Sequence, residues 1–135
     1  MGDNRSPLWR HGGTVQGPVP RSYAWNLPKR MRWNAVKSAL AQKLRDGKVV
    51  CVAEFGFESH RTKELDGAIR NGLGIDGTAL LLPEAQERNL ELAARNHPSF
   101  TVVRALGVNI VDLLDHDTVI VSEPALKRLV EVLAR

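Results

Sequence analysis

Short apolar runs alternate with amphipathic segments along most of this 135-residue chain. Runs that are almost wholly aliphatic predict four buried strands, at 49–53, 79–82, 101–103 and 118–121. Helical spacing of apolar residues predicts five helices, at about 28–46, 62–71, 84–95, 109–114 and 123–133. Strict alternation of helices and buried strands is typical of a parallel sheet covered on both faces. We therefore expect an α/β fold, a three-layer α/β/α sandwich with a mostly parallel four-stranded sheet.

Several side chains carry specific expectations within this pattern. The first helix should bury one apolar stripe, made of Met31, Ala35, Val36, Ala39, Leu40 and Leu44. Asn109 and Ser122 are expected to cap the last two helices. Cys51 lies inside the first strand pattern and is expected to be a small core residue rather than a nucleophile. A single cysteine cannot form an internal disulfide bond, which favours a cytoplasmic location.

The first 27 residues have a different composition. Four of the seven prolines lie in the first 28 residues, and all three tryptophans and the only tyrosine lie in the first 33. Proline and glycine at this density exclude a long helix or a central strand. We therefore predict two parts, an extended basic arm at 1–27 and a globular α/β domain at 28–135.

Charge is divided between the two ends of the chain. Residues 1–45 carry nine lysines or arginines and one acid, whereas residues 46–135 carry ten bases and fourteen acids. Basic residues interleaved with aromatic rings favour RNA, because cations neutralise phosphates and rings stack on unpaired bases. Glycines at 12, 13 and 17 would let the backbone approach a phosphate closely. A flexible charged tail, or an arm that binds an acidic protein, remains an alternative.

Two motifs suggest other chemistry. Gly72 to Gly77 matches the G-x-G-x-x-G dinucleotide fingerprint, but it follows a helix and leads into a strand, the reverse of the required context. It is interpreted as a helix stop and turn, and a small nucleotide-binding domain or enzyme is the alternative function. An acidic cluster around one histidine consists of Asp112, Asp115, His116 and Asp117. Because no second histidine or cysteine stands at the spacing of metal ligands, we interpret the cluster as a solvated helix end rather than a metal site. No catalytic motif is present, so we expect no enzyme, cofactor, metal or small-molecule substrate.

The arm nevertheless resembles a known family. The residues from Ser6-Pro7-Leu8-Trp9-Arg10-His11-Gly12-Gly13 to Gly17-Pro18-Val19-Pro20-Arg21-Ser22-Tyr23 resemble the bacterial type of the L-four family of large-subunit ribosomal proteins. The similarity continues through Leu27-Pro28-Lys29-Arg30-Met31-Arg32 and returns at Gly107-Val108-Asn109 and at Asp117 to Val121. The resemblance therefore runs along nearly the whole chain, and its first block is the most specific.

What the resemblance implies agrees with the charge pattern. It implies a non-enzymatic protein of the cytoplasmic ribosome that binds 23S ribosomal RNA, contacts neighbouring large-subunit proteins, and supports subunit assembly and the peptide exit tunnel region. Motif position and the surrounding basic residues together predict the following RNA contacts: Arg5, Trp9, Arg10, His11, Gly12, Gly13, Arg21, Tyr23, Lys29, Arg30, Arg32 and Lys37. Family members carry a further segment ahead of this arm, so the resemblance also implies that this chain lacks the N-terminal segment and the tip of the tunnel loop.

Overall fold

Helices and strands alternate in the computed structural model, which describes residues 3–134. The strands are β1 (Val49–Val52), β2 (Ala79–Leu82), β3 (Phe100–Val102) and β4 (Thr118–Ser122). The helices are α1 (Lys29–Arg45), α2 (Thr62–Gly67), α3 (Arg88–Ala94), α4 (Ile110–Asp115) and α5 (Glu123–Leu133). A π-helical turn, Ala68–Gly72, continues α2, and a 3-10 turn, Ala105–Gly107, precedes α4. Of the predicted two parts, 1–27 and 28–135, residues 1, 2 and 135 lie outside the described residues.

The sheet has the strand order β1-β4-β2-β3, and all its pairings in the described part are parallel. Val50 pairs with Ile120 between β1 and β4, and Leu81 pairs with Ile120 between β2 and β4. The two central strands, β2 and β4, are therefore covered by strands on both sides. The expected α/β class and helix–strand order are confirmed.

Each face of the sheet has its own apolar core. One core joins alternate residues of β2 and β4, including Leu80 and Val119, to side chains of α1, α4 and α5. The other joins Leu81 and Ile120 to side chains of α2 and α3. Because successive strand residues point to opposite faces, the uninterrupted aliphatic runs of β2 and β4 fill both cores. This arrangement confirms the three layers.

The apolar stripe expected on α1 is only partly correct. Val36 is buried, and Ala39 and Leu40 pack against the core, but Met31 and Leu44 are mostly exposed, at 57% and 62%. The two residues lie near opposite ends of a 17-residue helix, and the sheet that α1 covers is short, with strands of three to five residues. Helical spacing marks the face but does not show how far the covering layer extends.

Two further predictions about local structure are wrong. Helix α3 begins at Arg88 rather than near position 84, because the chain after β2 first bends at Glu84 and Ala85. Cys51 is exposed rather than in the core. Its strand, β1, lies at the edge of the sheet, where one side has no neighbouring strand among the described residues. An apolar run therefore identifies a strand without distinguishing a central position from an edge.

The two expected helix caps behave differently. The Asn109 side chain accepts a hydrogen bond from the backbone N–H of Asp112 at 2.9 Å, which confirms it as the cap of α4. Ser122 occupies the same position before α5, but its hydroxyl makes no cap hydrogen bond and is buried without a partner among the described residues. The sequence therefore predicts which residue precedes each helix, but not whether its side chain makes the cap hydrogen bond.

Lys43 connects the C-terminal end of α1 to the start of β4. Its Nζ donates to the carbonyl oxygens of His116, at 2.6 Å, and Asp117, at 3.0 Å. One of the nine basic residues near the N-terminus is therefore used to hold the helix on the globule. Along 3–134, the structure contains no helix with the length and apolar character that a membrane crossing requires.

Candidate nucleic-acid interface

Residues 3–13 form a series of hydrogen-bonded turns. Ser6 N–H donates to the Asp3 carbonyl, Trp9 N–H to Ser6, Gly12 N–H to Trp9, and Gly13 N–H returns to Arg5 at 2.9 Å. His11 adopts a φ of 64°, in the left-handed region, where the chain reverses. This part of the arm is therefore a compact loop rather than extended backbone, and it holds Trp9, Arg10 and His11 at its outer surface.

Gly12 has a steric reason to be glycine inside this loop. A Cβ built at Gly12 would overlap the carbonyl oxygen of Ser6, which belongs to the backbone and cannot turn aside. At Gly13 a Cβ would lie 3.3 Å from the Arg5 carbonyl oxygen, and at Gly17 it would meet only a methyl group at 3.6 Å. The close approach at Gly12 is thus to the chain's own backbone, and an approach to a phosphate at the glycines stays a prediction.

Beyond the loop, residues 14–28 form neither helix nor strand and carry exposed aromatic rings. Tyr23 and Trp25 leave 75% and 76% of their surface accessible, and Trp9 in the loop leaves 63%. The Arg21 guanidinium lies over the Tyr23 ring, 4.1 Å from its centroid. A cation stacked on a ring presents a flat, positively charged surface, which suits an RNA base beside a phosphate.

The first turns of α1 continue this basic surface. Lys29, Arg30, Arg32 and Lys37 are exposed, and α1 contains no acidic residue. In the described part of the chain, every ion pair lies elsewhere, between residues 48 and 127. The positive charge of the arm and of early α1 is therefore not neutralised within 3–134.

All twelve predicted contact residues lie on this surface. Eleven are exposed and Gly12 is half-buried, in keeping with its role inside the loop. They follow one another from the loop through residues 14–28 to α1. Because nearly all of them are exposed, a ligand could reach them. Their contact with RNA stays a prediction.

Two exposed tryptophans, Trp25 and Trp33, were not among the predicted contact residues. Trp25 is as accessible as Tyr23, and Trp33 is 38% exposed on α1 between Arg30 and Lys37. A sequence signal for both existed, since each stands among basic residues in a segment that is rich in aromatics. The predicted set combines the family motif with the surrounding basic residues, and neither criterion includes these two tryptophans.

The glycine-rich segment behaves as a helix stop. Gly74 has a φ of 67°, and its N–H donates to the Arg70 carbonyl at 3.1 Å. The segment begins at the last residue of the π-helical turn and leads to β2, so no helix begins at its end. The interpretation of Gly72–Gly77 as a turn is confirmed, and the segment lacks the helix N-terminus that holds pyrophosphate in dinucleotide-binding folds.

The crevice at the carboxyl ends of the strands is also unsuited to a phosphate. In doubly wound folds, ligands bind at this edge. Here the crevice is lined by four carboxylates, those of Glu54, Glu58, Glu84 and Glu87, against a single cation, Arg88. Partial burial raises the pKa of the Glu87 carboxyl, and the negative charge of Glu54 raises it further. The geometry therefore gives no support to the nucleotide-binding alternative.

The histidine of the acidic cluster, His116, has a structural role. His116 is buried, and its Nδ1 donates to the Asp112 carbonyl oxygen at 2.8 Å while Nε2 bonds to the Thr101 hydroxyl at 2.8 Å. Both ring nitrogens are thus occupied by the protein. The expectation of a solvated helix end is wrong for His116. Within the described residues, no three His, Cys, Asp or Glu side chains lie together as a metal site would require.

Comparison with known proteins adds independent information. The model of the family described as "Ribosomal protein L4/L1 family" matches residues 1–132. Over all 135 residues, the chain is 44% identical to the large ribosomal subunit protein uL4 of Solibacter usitatus (strain Ellin6076). This alignment covers 100% of the chain and 64% of the relative, so the chain spans slightly less than two thirds of the relative's length.

Proposed function

The chain belongs to the ribosomal protein L4/L1 family, and on this premise we propose that it is a structural constituent of the large ribosomal subunit that binds 23S ribosomal RNA. The binding surface is the basic arm together with the first turns of α1. The loop at 3–13 presents one group of contacts, and the stacked Arg21 and Tyr23 present a second. The exposed lysine and arginine side chains of α1 present a third.

One observation carries the proposal most directly. The arm and early α1 hold a run of exposed cations that have no ion-pair partner within 3–134, interleaved with exposed aromatic rings. Unpaired cations suit phosphates, whose counterions they displace, and exposed rings suit unpaired bases. An acidic protein would use the cations but would not need the rings, so RNA accounts for more of the surface.

The proposed role follows from this mode of binding. An arm that contacts RNA along its length can fix several RNA segments relative to the globular domain, which supports subunit assembly and the region of the peptide exit tunnel. The chain works in the ribosome of the cytoplasm, beside other large-subunit proteins. A ribosomal protein family also supports a structural protein over an enzyme.

Two arginines on this surface provide a direct test. Arg21→Ala and Arg32→Ala are each expected to weaken binding to 23S ribosomal RNA and to reduce the slope of log K against log salt by about 0.7–0.9, the contribution of one phosphate contact. Neither change should lower the melting temperature appreciably, since both side chains are exposed and outside the core. Filter binding across salt, with thermal unfolding of each variant, measures both quantities.

Arg70→Ala is the matched control. It removes one arginine that is already paired with Asp66 at 2.6 Å, on α2 and its extension. Its salt slope should equal that of the unmodified chain. A melting temperature that falls for Arg21→Ala or Arg32→Ala while RNA affinity is kept would assign that arginine a structural role instead.

A further inference from the structure

A groove of about 490 Å³ lies between the first half of α1 and the end of α5. Arg30, Trp33, Asn34 and Lys37 line it from α1, and Val132 and Leu133 line it from α5. It is distinct from the arm, since all six residues belong to helices of the globular domain. None of them is acidic, so the charged side chains that line the groove are both cations.

Helical spacing brings the four α1 residues onto one face. Arg30, Trp33 and Lys37 are separated by three and four residues, which places them in consecutive turns on the same side of a helix. At 1.5 Å per residue, Arg30 and Lys37 lie about 10 Å apart along the axis, with Trp33 between them. An indole with a cation before and after it matches a nucleotide, whose flat base is flanked by phosphates.

Trp33 is also more fixed than the other exposed rings. It leaves 38% of its surface accessible, against 63–76% for Trp9, Tyr23 and Trp25, and it stands on a 17-residue helix beside Val132 and Leu133. A ring held by a helix and by neighbouring apolar groups loses little freedom on binding. It is therefore a better stacking platform than a ring on an irregular segment.

We propose that Trp33, flanked by Arg30 and Lys37, stacks on an unpaired RNA base and makes the α1 part of the proposed surface a binding site for single-stranded RNA. The inference rests on the proposed function, since it assumes that the arm brings RNA to this face. It goes beyond that function by assigning a position outside the family motif and by specifying single-stranded rather than helical RNA. Duplex RNA keeps its bases stacked on one another and cannot offer a free face to the indole.

Fluorescence of Trp33 alone tests the proposal. The double variant W9F/W25F leaves Trp33 as the sole tryptophan and keeps an aromatic ring at the other two positions. Addition of 23S ribosomal RNA should quench its emission. Single-stranded oligoadenylate of about ten nucleotides should quench it as well, whereas the same strand annealed to oligouridylate should not.

Affinity measurements in the otherwise unmodified chain complete the test. Trp33→Ala should weaken binding of oligoadenylate about tenfold, a typical loss for one base–aromatic stack. Trp33→Phe should retain most of the affinity, because it keeps a ring. Trp25→Ala, at a more exposed ring on the arm, is the comparison variant, and the melting temperature of each variant shows that the fold is intact.

The outcomes separate this inference from the proposed function. Emission of Trp33 that is unchanged while 23S ribosomal RNA binds with a steep salt dependence would overturn the Trp33 site and leave the arm as the binding surface. Equal quenching by duplex and single strand, or Trp33→Ala with unchanged affinity, would overturn it too. Failure of the unmodified chain to bind RNA at all would overturn both.

Discussion

Replacement of Leu81 by alanine is expected to lower the free energy of unfolding by about 2–5 kcal/mol, the range for a fully buried leucine. Leu81 lies in the central strand β2, is 1% exposed, and packs in the core beneath α2 and α3. Pairing with both β3 and β4 leaves the site little freedom to collapse around the cavity. Urea denaturation followed by circular dichroism measures the change.

Leu44→Ala is the control for this prediction. The substitution is chemically the same, but Leu44 is 62% exposed on α1, so its cost should stay below about 1 kcal/mol. The sequence pattern alone predicts that both leucines are buried, and the structure predicts a large difference between them. Equal losses of stability for the two variants would contradict the packing described above.

Replacement of Gly12 by alanine is expected to weaken binding of 23S ribosomal RNA by roughly tenfold to a hundredfold. The new methyl group would overlap the Ser6 carbonyl oxygen, so the hydrogen-bonded loop at 3–13 could not close as it does. The loop presents Trp9 and Arg10, and the loss of one stacking contact together with one phosphate contact accounts for this magnitude. The melting temperature of the globular domain should not change, because the loop contributes no residue to either core.

Gly17→Ala separates this steric effect from a general effect of replacing glycine in the arm. Its Cβ would meet only a Thr14 methyl group at 3.6 Å, an ordinary van der Waals contact. RNA affinity should therefore fall much less than for Gly12→Ala, because the loop at 3–13 can still close. An equal loss of affinity for both variants would show that the loop geometry at Gly12 is not what the RNA requires.

The order and type of the elements could be predicted from the sequence. The strands β2 and β4 fill a core on each face of the sheet, so nearly every residue in them is aliphatic, and such runs stand out from the helical spacing of the other segments. The position of a strand within the sheet could not, since edge and central strands share this pattern. The burial predicted for Cys51 is wrong for that reason. The extent of burial on α1 depends on the size of the sheet beneath it. Met31 and Leu44 lie near the ends of the helix, beyond the short sheet, and are mostly exposed. Helix periodicity carries no information on that size.

The candidate interface could be predicted as a region more readily than in its details. Clusters of basic residues and aromatic rings predict the arm, and eleven of the twelve predicted contact residues are exposed. The loop at 3–13 could not be foreseen, because it depends on backbone hydrogen bonds between residues such as Arg5 and Gly13. The sequence marks Trp33 as an aromatic ring among basic residues, but it does not show the groove, which is completed by Val132 and Leu133, about 100 residues further along the chain.

Binding of the unmodified chain to purified 23S ribosomal RNA, titrated across salt with an unrelated structured RNA as competitor, tests the central claim most directly. With about six phosphates neutralised by the exposed cations, log K should fall against log salt with a slope near −4 to −5. The competitor should displace the chain only at a large excess. An affinity for 23S ribosomal RNA that is absent or independent of salt would contradict the proposed function. Equal affinity for the unrelated competitor RNA would contradict it as well.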